Sequence, residues 1–180
     1  PVSSDGNGVR LVHCFIDFDL ETGEITTTPY SVFEQPQGWE NNAGSAMHCH
    51  LIALPSGKIL AVYNVNNSES GLISDDRRSI YQQESTDGGA TFSGRREIIP
   101  LRNGTDRVVT GSGGDFVRIH AGDYVGRIAF PMYEGVGSGI SVAFSDDDGT
   151  TWAESERFTT PGYNGAEPSL AVLSDGTLYM

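Results

Sequence analysis

With 180 residues, 37% of them apolar and 19% charged, the chain has the composition of a folded globular domain and not of a disordered one. Its net charge of -13 and pI near 4.5 argue against nucleic acid or an anionic membrane surface as partner, since both attract clustered Lys and Arg. No run approaches the roughly 18 apolar residues of a membrane span, and the polar opening over residues 1–8 has no signal-peptide core.

Glycine is abundant, with 23 copies, and short apolar runs alternate with Gly, Asn, Asp, Ser and Thr, which is the pattern of an all-β chain rich in tight turns. Residues 9–33 read as extended, with a turn over 21–24. The run HLIALPSGKILAVYN at 50–64 is two apolar segments around a Gly-containing link, a β-hairpin. A polar loop over 65–78 follows, then a strand-like run at 79–84. The turn STDGGATF at 85–92 comes next, and then a fourth run near 95–99.

The same order returns downstream. Strand-like runs at 115–120, 127–133 and 139–144 lead into the turn SDDDGTTW at 145–152 and a run at 153–159. A third copy begins at Glu167 with EPSLAVLSDGTLYM, again two apolar runs around a turn, here 174–177. Ser85 and Ser145 lie 60 residues apart, and a four-stranded unit repeating every 40–60 residues is what a propeller blade requires. One blade cannot bury both faces of its sheet, so such units depend on their neighbours and on ring closure. The predicted fold is therefore an all-β propeller of four-stranded blades, with this chain covering about the first two and a half to three. Residues 1–43 are read as an N-terminal extended segment and a candidate for the strand closing the last blade. Residues 44–180 are the blades, truncated in the third, so the remaining blades or self-association are expected to complete the ring.

Both turns match Ser-x-Asp-x-Gly-x-Thr-aromatic, on Ser85, Asp87, Gly89, Thr91 and Phe92 and on Ser145, Asp147, Gly149, Thr151 and Trp152. In the local reading, the carboxylates of Asp87 and Asp148 accept backbone N–H groups of their own turns. Gly89 and Gly149 permit φ > 0, and Phe92 and Trp152 pack beneath. The pattern resembles the Asp box of the sialidase (neuraminidase) and BNR-repeat proteins, bacterial exo-sialidases in particular. The segments ALPSGKILAVYN, GSGGDFVRI, GRIAFPMYEG and AEPSLAVLSDGTLYM extend the resemblance over about residues 44–180.

The resemblance implies a six-bladed ring and hydrolysis of terminal sialic acid with retention of configuration. A tyrosine nucleophile is assisted there by a glutamate, an aspartate serves as acid/base, and three arginines clamp the carboxylate. A phenol of pKa about 10 needs such a carboxylate neighbour to attack near neutral pH. Glu167, in E-P-S-L-A-V-L-S-D-G, matches the family's glutamate; the alternative is a strand-entry glutamate held by Pro168. The family's aspartate falls where this chain has Asp75 and Asp76, which could equally form a solvated loop beside Arg77 and Arg78.

One position departs from the family. Its Arg-Ile-Pro arginine aligns with Met47, in Met47-His48-Cys49-His50. On a regular strand His48 and His50 share a face, where they could contact an anionic sugar, act as bases, ligate a metal or serve the core. The second clamp arginine is expected beyond Met180, and the third arginine and the nucleophile in later blades. Tyr63, Tyr81, Tyr124, Tyr133 and Tyr163 read as strand or loop residues.

Three functions follow: a sialidase-type exo-glycosidase on sialic acid or a related acidic sugar, a propeller with other sugar chemistry centred on His48 and His50, or a carbohydrate-binding scaffold. A glycan is the expected partner in each. No cofactor or metal is called for, and calcium at Asp146, Asp147 and Asp148 competes with their turn role. Cys14 and Cys49 are expected to be buried free thiols, and the sequons at Asn66 and Asn103 do not establish secretion. Secretion or a periplasmic location is implied by the resemblance alone.

Overall fold

The computed structural model describes residues 11–34, 44–67, 78–100, 108–110, 116–134, 139–159 and 167–180. Every regular element among them is a β-strand. The first unit is a four-stranded antiparallel sheet of β5 (Gly44–Ala53), β6 (Ile59–Asn67), β7 (Arg78–Ser85) and β8 (Arg96–Ile99), in chain order. β6 is apolar along most of its length because both of its faces are covered: Leu60 and Val62 are buried on one side, Ala61, Tyr63 and Val65 on the other.

The second unit repeats this plan. β11 (Ile128–Glu134), β12 (Ile140–Ser145) and β13 (Ala153–Glu154) follow one another across the sheet. The edge before β11 is filled by two pieces. β9 (Val108–Thr110) pairs with its far end through Thr110 and Met132, and β10 (Val117–Arg118) with its near end through Val117 and Ala129. Both pair with the same edge of β11, in the place of the blade's first strand, and only the second piece was expected from the sequence. The run expected at 153–159 also shrinks, to the two residues of β13 and a bridge between Phe158 and Ile140. A third unit begins with β14 (Ala171–Val172) and β15 (Leu178–Tyr179).

One turn geometry closes the first hairpin of all three units. Leu54 N–H donates to the Lys58 carbonyl (2.8 Å) and Gly57 N–H to the Leu54 carbonyl (2.9 Å); Leu173, Thr177 and Gly176 repeat both bonds at the same lengths. In the second unit Ile119, Arg127 and Gly126 make the same pair of bonds around a longer loop. Each turn needs a residue with positive φ, and glycine supplies it: +85° at Gly57, +98° at Gly126 and +90° at Gly176.

The main core lies between the first and second units. Leu54, Leu60, Val62, Ile80 and Ile99 meet Phe116, Ile128, Phe130, Met132 and Ala143, with Trp152 packed against them. The other face of the first sheet is covered separately: Ala46, Tyr63 and Val65 form a small cluster with Leu11, Cys49 and Tyr81. Leu11 belongs to the N-terminal segment, in which β1 (Leu11–His13) pairs with β4 (Ser31–Glu34) and β2 (Ile16–Phe18) with β3 (Ile25–Thr27). The first unit is thus flanked by the second unit on one face and by residues of the N-terminal segment on the other. Phe15, Ile16, Phe18 and Ile25 remain exposed there.

Face-to-face stacking of four-stranded antiparallel sheets in chain order, with the first strands of successive units touching at β10 and β14, is a β-propeller arrangement. Both cysteines are free, but only Cys49 is largely covered; Cys14 is exposed, because the strands around it present much of their apolar surface to solvent.

Candidate functional site

The two Ser-x-Asp turns are built from the same bonds. Ser85 Oγ donates to Asp87 Oδ1 (2.7 Å) and accepts Gly89 N–H (2.9 Å). Asp87 accepts Thr91 N–H on Oδ1 (2.9 Å) and Thr91 Oγ1–H on Oδ2 (2.6 Å). Ser145, Asp147, Gly149 and Thr151 reproduce the set, with lengths of 2.8, 2.9, 2.8 and 2.7 Å. The bonding carboxylate is therefore Asp147 and not Asp148. Asp148 instead adopts φ +53°, the place Gly88 takes in the first turn at +72°. Asp is one of the few non-glycine residues that tolerate this conformation.

These bonds favour the ionised carboxylate. The Thr91 hydroxyl and N–H and the Ser85 hydroxyl hold Asp87 well below the usual range, and the Thr151 N–H and hydroxyl, with the Ser145 hydroxyl, bring Asp147 down to about 2. A carboxyl depressed by folding contributes stability that is complete above its unfolded value near 4 and is lost as pH falls through the folded value. Thermal unfolding scans are thus expected to show Tm falling between about pH 4 and pH 2, with a shallower fall in Asp147→Asn. An unchanged slope in that variant would remove Asp147 from the account.

The second turn docks on the first unit. Arg96 donates from Nη1 to the Thr150 carbonyl (3.0 Å) and from Nη2 to the Gly149 carbonyl (2.7 Å), and Trp152 Nε1 donates to Gln82 Oε1 (2.8 Å). The first turn meets the N-terminal segment instead. Phe92 stands edge-on to His13 at 5.7 Å, and Gly89 faces Phe15.

The residues with candidate chemistry lie elsewhere. Glu167 is exposed, on the path into β14, with φ +54°. His48 lies in β5 with the same φ of +54° and is half-buried. Asp75 and Asp76 lie outside the described residues, as do Tyr163 and the sequon at Asn103. Shared facing of His48 and His50 does not follow from strand alternation, because β5 is bulged: Met47 pairs with Asn64, but His50 pairs with Val62, so His48 and Cys49 together oppose Tyr63. No glycine or other turn residue announced this break. His50 is buried, opposite Val62, while Cys49 packs toward Tyr63 and Val65. Burial pushes the Cys49 thiol up to about 12, which keeps it un-ionised at neutral pH.

A cleft of about 570 Å³ opens between the second unit and the β14–β15 hairpin, lined in part by Tyr124, Arg127, Phe144, Asp175 and Thr177. It contains none of the candidate catalytic residues. Its arginine has a structural post: Arg127 is held by Asp146 through two bonds of 2.7 Å and stacks on Tyr124 and Phe144. The same bonds engage Asp146, and the turn engages Asp147.

The fold is the β-propeller fold of the sialidases. Among solved structures the chain is similar to the Hadza microbial sialidase Hz136, with a TM-score of 0.73 and 14% identity over 98% of this chain and 36% of that one. It is also similar to the leech intramolecular trans-sialidase complexed with 2,7-anhydro-Neu5Ac (TM-score 0.51, 16% identity, 94% of this chain and 21% of that one). A third likeness is to the intramolecular trans-sialidase from Ruminococcus gnavus in complex with oseltamivir carboxylate (TM-score 0.50, 17% identity, 94% and 29%). The chain thus spans between about a fifth and just over a third of the length of these proteins. No protein-family model and no curated protein matches the sequence.

Proposed function

We propose that the chain forms the opening blades of a sialidase-type exo-glycosidase acting on terminal sialic acid or a related acidic sugar. The observation that carries the reading is Glu167. It is the residue that matches the family's glutamate in sequence, and it stands exposed on the path into the first strand of the third unit, in a propeller whose structural neighbours are sialidases. In this reading the Glu167 carboxylate takes the phenolic proton of a tyrosine nucleophile as the phenol attacks the anomeric carbon, and Asp75 or Asp76 protonates the departing glycosidic oxygen. The two Ser-x-Asp turns are Asp boxes of the BNR type and serve architecture, since their carboxylates are already engaged by their own Ser and Thr partners. Residues 11–34 stand beside the first blade on the face away from the second, which supports their reading as part of the closing blade.

The test is release of fluorophore from 4-methylumbelliferyl-sialic acid by the protein that carries this chain, beside Glu167→Ala. The expected result is turnover by the parent and a loss of at least about 100-fold in the variant. A well-folded parent without turnover would overturn the sialidase reading. Binding of acidic sugars without turnover would favour the scaffold alternative.

A further inference from the structure

Three non-glycine residues among those described have positive φ: His48, Asp148 and Glu167. Asp148 is accounted for by its turn, where the other copy of the repeat has Gly88. The remaining two share more than an angle. Leu54 and Leu173 are the equivalent closing residues of the first and third hairpins, each donating to a carbonyl four residues on. His48 lies six residues before Leu54, and Glu167 six residues before Leu173. Both therefore hold the same position of the repeat, in the first strand of the first blade and on the path into the first strand of the third. The same offset from Ile119 falls on Gly113, outside the described residues.

A left-handed position favours glycine, and although His is found there more often than most residues, Glu is not. Two chemistry-bearing side chains at matched left-handed positions ask for a reason beyond local structure. The first strands of propeller blades line the ring axis, and β10 and β14, the first strands of the second and third units, touch here. Side chains presented from this repeat position thus belong to the inner, axial part of the molecule.

We infer that His48 is a substrate-contacting residue, the first blade's counterpart of Glu167, donating an imidazole N–H to the carboxylate of an acidic sugar. The inference rests on the sialidase-type reading for its substrate. It also separates the two histidines: His50, buried opposite Val62, is a core residue.

Three variants test this: His48→Gly, which releases the strain; His48→Asn, which tolerates the left-handed backbone but lacks the imidazole; and Asp148→Gly, a control at a left-handed residue far along the chain in a turn. The expected result is a loss of at least about tenfold in kcat/KM on 4-methylumbelliferyl-sialic acid for both His48 variants. With it, Tm rises by about 3 °C in His48→Gly, and Asp148→Gly leaves kcat/KM unchanged. Turnover within about twofold of the parent in either His48 variant, or a Tm of His48→Gly at or below the parent's, overturns the inference. A parent that turns over no sialoside but binds galacturonic acid in calorimetry sinks the sialidase reading alone, and the same two His48 variants are then judged on that binding. A parent that does neither sinks both.

Discussion

Trp152→Ala is expected to destabilise the chain by about 4 kcal/mol in urea denaturation, the largest effect of any single side-chain truncation proposed here. The indole is wedged between the first two blades, 5.1 Å from the Phe130 ring and 5.9 Å from Phe116, and its N–H satisfies Gln82 Oε1. Truncation opens a cavity in the main core and strands a buried amide oxygen at once. Trp152→Phe separates the two contributions. It keeps an aromatic ring but not the donor, and should cost about 1–2 kcal/mol. Phe92, in the equivalent place of the first turn, stands edge-on to the half-buried His13 and not in the main core, so Phe92→Ala should cost less than Trp152→Ala. Equal losses at the two positions would contradict the unequal packing.

Gly149→Ala is the second large effect, at about 3 kcal/mol or more. Two penalties coincide. The residue has φ +82°, and a Cβ would stand 2.6 Å from Leu60 Cδ1 and 3.3 Å from Gln82 Oε1. Both neighbours are buried and belong to the face on which the turn docks, so neither can withdraw cheaply. Gly89 provides the control. Its φ is +92°, but its nearest neighbours are 3.6 Å away, so Gly89→Ala carries the backbone penalty with no clash and should cost about 1 kcal/mol. A Gly149→Ala loss no larger than that of Gly89→Ala would mean that the turn lifts off the first blade without consequence.

The sequence was most informative where structure is made locally. The Ser-x-Asp turns are closed by bonds among their own Ser, Asp, Gly and Thr residues, and the first and third hairpin turns close over four residues, so their glycines, serines and carboxylates could be read in place. Even there the two adjacent carboxylates 147 and 148 divide the work in a way set by backbone conformation, which side-chain identity does not display. Features fixed by non-local pairing were much less legible. β9 is a three-residue strand defined only by its partners in β11. The β5 bulge arises from pairing with β6 and has no turn residue to mark it. That bulge is why two histidines at strand spacing did not stay equivalent. At the candidate site, Glu167 was found through resemblance, whereas the matched position of His48 became visible only from the shared hairpin bonds and backbone angles.

The docking of the second turn on the first blade also has a direction in time. Arg96, Gln82 and Leu60, which receive residues 149–152, all precede them in the chain, as His13 and Phe15 precede the turn at 85–92 that they meet. A chain emerging from the ribosome therefore makes each landing surface before the turn that lands on it. The propeller can be laid down blade upon finished blade, with a tryptophan or phenylalanine closing each step as it leaves the tunnel.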